Sequence, residues 1–281
     1  MHFLSIRWAV GPELFSIGPF HIRYYGLFFV IAFVISYMLF LKMFKREKLP
    51  VSLLDKLSIT VFLSVFIGAR LGHCFFYEPA YYLSDPLKIF AVWEGGLASH
   101  GAAIGILIGL WLFCRKHKKS YLWILDRIGI VVAVSGCLVR LGNLMNSEIY
   151  GHVTNLPWGF VFALRGENLP KHPTQIYESL CYLLLFFFLW YLYKNHLKQL
   201  KRGMLFGIFL VLLFSIRFLI EFLKEPQVAF EQNMVLNMGQ LLSIPFILTG
   251  AVLLFRSIIW GKPDDSLHPV KNTTPPKAGN K

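Results

Sequence analysis

The sequence predicts an all-α polytopic membrane protein of seven transmembrane helices, on three grounds. Of its 281 residues 56% are hydrophobic and only 15% charged, with a mean hydropathy of +0.57. A soluble domain carries about 25% charge, so this chain lacks the polar surface to face water, and its apolar content excludes disorder. Apolar runs recur near 22–42, 57–77, 97–114, 124–141, 178–193, 204–222 and 238–259, each close to the roughly 20 residues that cross the hydrocarbon. Finally, the 28 Lys and Arg residues segregate by loop in strict alternation.

That alternation orients the chain. Lys42, Lys45, Arg46, Lys48 and Lys56 follow the first span, Arg115 to Arg127 follow the third, Lys194 to Arg202 the fifth, and Arg256 to Lys281 the seventh. Together these segments hold 19 basic residues, the opposite side holds 8, and Arg70 lies within the second span. The positive-inside rule then places the N-terminus outside and the C-terminus in the cytoplasm. The formal charge of +13 is therefore an orientation label: +14 on the cytoplasmic segments, −2 on the outward ones and +1 from Arg70.

Three outward segments are long, 1–21, 78–96 and 142–177, and the last, rich in Gly, Pro, Asn and aromatic residues, reads as a small external cap. The division is a membrane domain over 1–260, with the cap within 142–177, and a cytoplasmic tail over 261–281 that is Pro- and Lys-rich and expected to be disordered. The first 20 residues do not read as a secretory signal peptide. Cys74, Cys114, Cys137 and Cys181 fall in apolar runs with no CxxC, against a disulfide framework or a thiolate metal site. HExxH, GxSxG and P-loop motifs are absent, and no metal or cofactor is expected. The short juxtamembrane basic patches argue against nucleic acid and for the lipid bilayer as partner.

A charged side chain inside a span costs roughly 2.5–3.5 kcal/mol on insertion scales, so it needs a partner or a task. At the end of the fourth span Arg140, Asn143 and Asn146 fall along one helical stripe, and Glu148 lies beyond the helix end. An Arg with two carboxamides makes a fork for phosphate-like oxygens. The same stripe also reads as an interhelical hydrogen-bond seam with a snorkelling Arg. In the third span Gly101, Gly105 and Gly109 repeat every four residues, a close-packing pattern. His100 at its outer end is either a hydrogen-bonded histidine or a general base. Arg217 and Glu221, four residues apart, are expected to pair. Lys171 to Glu178 brings a run of polar side chains into the fifth span, and Arg70 reads as a buried, paired arginine.

These residues resemble the bacterial phosphatidylglycerol–prolipoprotein diacylglyceryl transferase family over nearly the whole chain. The carriers are Ile22-Arg23-Tyr24-Tyr25-Gly26-Leu27, Trp93 through Gly101, and Arg140-x-Gly-Asn-x-x-Asn-x-Glu-x-x-Gly ending at Gly151. His172 to Glu178, Arg217-x-x-x-Glu221 and Asn237 to Pro245 complete the set. The resemblance implies seven helices, an outward-facing cavity and a periplasmic cap in the bacterial inner membrane. It implies movement of a diacylglyceryl group from phosphatidylglycerol to the lipobox cysteine of a prolipoprotein, with glycerol phosphate leaving.

Under this resemblance Arg140 matches the phospholipid-binding arginine, and His100, Asn143, Glu148 and Arg217 match other essential positions. Tyr25 matches an active-site tyrosine. His100, Arg140 and Arg217 are then the catalytic candidates. Arg140, Asn143, Asn146, Glu148, Tyr25, Gly151, Gln175 and Tyr177 are the substrate-binding candidates, with Glu178 and Glu221 as supporting ion pairs. Val139, Leu144, Ala102 and Leu213 depart from the residues common in the family. A transporter or lipid flippase using the same polar cluster is the alternative, and a catalytically silent scaffold a third.

Overall fold

Long apolar runs satisfy their own backbone hydrogen bonds only as helices when water is excluded. The computed structural model describes residues 5–18, 20–91, 95–96, 98–196, 198–226, 231 and 234–261. Trp93 and Glu94 of the third-span motif, and the tail beyond Gly261, lie outside the described residues. The helices are α1 (Tyr24–Arg46), α2 (Val51–Phe76), a short α3 (Pro79–Ser84), α4 (Ser99–Lys116), α5 (Tyr121–Met145), α6 (Thr174–His196), α7 (Met204–Glu221) and α8 (Met238–Trp260). A long helix overlaps each of the seven apolar runs, and six of these helices are long and apolar enough to cross a membrane. The fourteen positions of α4 between His100 and Arg115 are bracketed by polar groups at both ends, and it is not among the six. The chain is a mostly helical, polytopic membrane protein.

Several helices overrun the expected edges, because polar end turns remain helical. Lys45 and Arg46 in the last turn of α1, and Arg115 and Lys116 in that of α4, favour the negative end of the helix dipole.

Helix α5 is the axis of the bundle. Its most apolar window is 61% buried, against 17% for α2 and for α8, and it packs against α1, α6 and α7. The apolar core around it includes Met43, Phe44, Ile124, Ile130 and Leu189. Outward-facing Phe29, Phe62, Leu184 and Val252 stay exposed, as a lipid-facing belt requires. Helices α2 and α4 meet through interleaved glycines. Gly101 lies against the backbone of Gly68 and Gly72, and Gly105 against Gly68 and Ser64, so close that a Cβ at either position collides with backbone.

Two networks of buried charge lie at opposite ends of α5. At its N-terminal end Glu47 accepts hydrogen bonds from Arg127 (3.0 and 2.8 Å), Trp123 (2.9 Å) and Tyr193 (2.7 Å). Asp126 accepts from the backbone N–H groups of Gly203 (2.7 Å) and Phe206 (2.9 Å), capping the start of α7. The charge tally counts Glu47, Asp126 and Arg127 with the cytoplasmic segments, and the structure buries all three. Their hydrogen bonds offset the desolvation that burial imposes.

Beyond the C-terminal end of α5 sits a cap, and it contains the short strands that an all-α expectation omits. Strand β1 (Ile6–Trp8) pairs in parallel with β4 (Phe160–Phe162), while β2 (Glu13–Ile17) and β3 (Phe20–Arg23) form an antiparallel hairpin entering α1. The cap core is Leu144, Phe160 and Phe162, packed with Trp8, Tyr150 and Ile176. Through its pairing with β4, β1, near the N-terminus, packs with the 142–177 segment. On the same side, Arg70 reaches out of α2 to the carbonyls of Ile89 (2.8 Å), Lys88 (2.7 Å) and Ala91 (3.0 Å) and stacks over Tyr82. Its partners are backbone carbonyls of the 86–91 segment, which they hold against α2.

Candidate active site

The site is built where α5 ends. Asn146 closes the helix, and the chain then passes through two left-handed residues, Ser147 (φ 50°) and Ile149 (φ 61°). A β-branched residue at positive φ is costly, of order 1–3 kcal/mol, so its surroundings must hold it. Glu148 N–H donates to Asn143 O (3.1 Å), Thr174 Oγ1 donates to Ile149 O (2.8 Å) and Gln175 Nε2 donates to Glu148 O (2.7 Å). Arg165 caps the helix end by donating to Ser147 O (3.0 Å) and Asn146 O (2.9 Å), and Trp8 Nε1 donates to Leu144 O (3.1 Å).

This turn folds Glu148 back over the stripe below it. Glu148 Oε1 accepts from Asn143 Nδ2 (2.8 Å) and Asn146 Nδ2 (3.3 Å), and Asn143 Oδ1 accepts from Arg140 (3.2 Å). Arg140 Nε lies 2.9 Å from Glu178 Oε2 on α6, with the Arg side chain 13% exposed and the carboxylate fully buried. The other Glu178 oxygen lies 3.0 Å from Lys224 Nζ, and Lys224 lies 2.9 Å from Glu221 Oε2. Tyr182, one turn after Glu178, donates to Glu178 Oε1 (3.4 Å) and lies within electrostatic reach of Arg140 and Arg217. The structure therefore brings together Arg140, Asn143, Asn146, Glu148, Gln175, Glu178, Arg217 and Glu221.

One expected pairing is replaced. Glu221 pairs with Lys224, and among the described residues no ion pair joins it to Arg217. Arg217 Nε is buried without a hydrogen-bond partner there, an unmet donor on a cation. Sequence reasoning missed Lys224 and Tyr182 as site residues. Their only local signals are the spacings Glu221 to Lys224 and Glu178 to Tyr182.

The remaining candidates are placed as follows. The Tyr25 ring lies on Gly142, where a Cβ would stand 2.8 Å from it, and it lines a cavity of about 550 Å³ with His21, Arg23 and Asn146. Gly151 is a junction, donating to His172 O (2.9 Å) and bridging to Lys224, with no room for a side chain beside His172. Tyr177 meets Trp158 (2.9 Å) and His172 (3.3 Å) in the cap. His100 is exposed at the second position of α4, and among the described residues no hydrogen bond or ion pair ties it to the Arg140 set.

A second ionic cluster ties the cap to the segment after α7. Lys171 Nζ lies 2.8 Å from Glu167 and 2.7 Å from Glu225, and Tyr150 donates to Glu167 (2.8 Å). The Lys171 hydrogen bond holds the Glu167 carboxyl below its ordinary 4.5. Burial works against the Lys171 charge, but hydrogen bonds to Glu167 and Glu225 outweigh it and raise it above 10.5. A lowered acid contributes stability above its ordinary value and loses it as pH falls through the lowered one. A raised base contributes below its ordinary value and loses it as pH rises through the raised one. Amide hydrogen exchange in 150–171, corrected for intrinsic rates, is therefore expected to be flat between about pH 5 and 10. Exchange accelerates in acid, and a rise already at pH 6 to 7 contradicts this latch.

The chain matches the family model described as prolipoprotein diacylglyceryl transferase over residues 12–256. It is 45% identical over 251 residues to the phosphatidylglycerol–prolipoprotein diacylglyceryl transferase of Tolumonas auensis, covering 89% of this chain and 96% of that one. It is 44% identical over 265 residues to the protein of the same name from Bacteroides fragilis (90% and 95%) and 45% over 254 residues to that from Chloroherpeton thalassium (90% and 94%). With the match spanning nearly the whole helical bundle and every residue of the Arg140 cluster, the chain belongs to the prolipoprotein diacylglyceryl transferase family.

Proposed function

We propose that this chain transfers the diacylglyceryl group of phosphatidylglycerol to the thiol of the lipobox cysteine of prolipoproteins. The observation that carries this reading is the convergence of Arg140 and Arg217 at one end of the bundle, in a chain of this family. The sulfur attacks the diacylglyceryl carbon that bears the phosphate ester. The S–C bond forms, the C–O bond breaks, and the pair of electrons leaves on glycerol phosphate. Developing charge on that phosphate is stabilised by donors already in place. Arg140, with Asn143 and Asn146, binds the headgroup, and Arg217 is the second cationic contact. Glu148 orients the carboxamides, Glu178 orients Arg140, and Tyr25, Gly151, Gln175 and Tyr177 shape the approach.

A thiol with pKa about 8.5 is mostly protonated at neutral pH, so the reaction gains from a base. His100 takes the thiol proton in this reading, reached by the incoming peptide at the start of α4. The chain sits in the bacterial inner membrane with seven spans, its N-terminus and site facing the periplasm and its C-terminus cytoplasmic. Helix α4 serves as the third span: 18 residues reach about 27 Å, near the roughly 30 Å hydrocarbon.

The test is mass spectrometry of a lipobox peptide after incubation with the purified chain and phosphatidylglycerol. A diacylglyceryl thioether on the cysteine is expected. An unmodified cysteine under conditions where the protein is folded overturns the proposal.

A further inference from the structure

Lys224 has no role in the chemistry above, yet it sits between two site carboxylates with its side chain 2% exposed. It lies just past the end of α7, fixed by its N–H to Glu221 O (3.2 Å) and by the bridge between its backbone and Gly151. Glu221 stands four residues after Arg217, the spacing at which acid and base pair along a helix. Lys224 takes that carboxylate instead, at 2.9 Å, and its other contact is Glu178 Oε1 at 3.0 Å. Helix α8 closes the far side: a Cβ on Gly239 would stand 2.6 Å from Glu221 Oε1, so the carboxylate has little room to turn away.

We infer that Lys224 is a positioning residue that holds Glu221, and one oxygen of Glu178, away from Arg217, leaving that guanidinium to the phospholipid phosphate. The inference rests on the proposed function, in which Arg217 contacts the headgroup. Without Lys224, Glu221 becomes a buried carboxylate whose partner by spacing on its own helix is Arg217, and pairing costs less than remaining unpaired. A phosphate must then displace that carboxylate, so the loss falls on KM for phosphatidylglycerol more than on kcat.

The experiment compares Lys224→Met, Lys224→Arg and the double variant Lys224→Met/Glu221→Gln, as full-length chains in detergent with phosphatidylglycerol and a lipobox peptide. Lys224→Met is expected to raise KM for the lipid roughly ten- to a hundredfold, while Lys224→Arg stays near wild type. The double variant removes the competing carboxylate and brings KM back to within about threefold of wild type. An unchanged KM in Lys224→Met overturns the inference. So does a double variant with KM raised as far as in the single one while both melt at the wild-type temperature. Should Lys224→Met fail to fold, the double variant decides alone: KM near wild type supports the inference and a raised KM overturns it. If the wild-type chain makes no thioether, the transfer reading falls, and phosphatidylglycerol binding decides the inference. Weaker binding in the single variant, restored in the double, supports it; equal binding in all three overturns it.

Discussion

Arg140→Lys is expected to lower kcat/KM at least about a hundredfold, despite keeping the charge, because roughly 2.7 kcal/mol or more of preorganised donation is lost. The guanidinium is already committed in orientation: Nε lies against Glu178 at 2.9 Å and one terminal nitrogen donates to Asn143 at 3.2 Å. These two contacts hold the planar fork in a fixed direction, and a lysine ammonium offers a rotatable point charge in its place. Glu178 retains Lys224 and the substituted lysine as partners, so folding is expected to survive. Initial rates of thioether formation, compared at equal folded protein, check this. A variant working at near-normal rate contradicts the fork.

Glu47→Leu is expected to cost about 3–5 kcal/mol of stability without changing the transfer rate per folded molecule. One carboxylate accepts two hydrogen bonds from Arg127, one from Trp123 and one from Tyr193, joining α5 and α6 just past the end of α1. Arg127 is fully buried, so leucine removes compensation for a charge that water does not reach. The thermal midpoint in detergent reads the loss. A variant as stable as wild type shows that this network contributes little, and a slower folded enzyme links it to the site at the other end of α5.

The helices were legible because each is a continuous apolar run, and the Arg140, Asn143 and Asn146 stripe because its spacing is local. Glu148 was correctly expected past the helix end, but the left-handed turn that returns it to Asn143 is set by Thr174, Gln175 and Arg165, distant in sequence. The same holds for β1, whose partner β4 lies some 150 residues away. Arg217 and Glu221 had the right spacing to pair, and a third group three residues on takes the acid because Glu178 reaches Lys224 from α6. Glu47 and Arg127 were counted as loop charges, since charge bias reports sidedness and not burial. The roles of His100 and Tyr177 rest on the resemblance; their positions lie at the start of α4 and in the first turn of α6.

Polar groups also cluster at both ends of α5 with the apolar core between them, which favours chemistry at one face over a path across the membrane. The most direct measurement uses sealed vesicles containing the purified chain and phosphatidylglycerol labelled in its headgroup glycerol, with a lipobox peptide or its Cys→Ser form outside. Labelled glycerol phosphate is expected to appear one for one with thioether, only with the cysteine peptide. Label released with the serine peptide, or lipid moved between leaflets with no thioether formed, contradicts transfer at the Arg140 cluster.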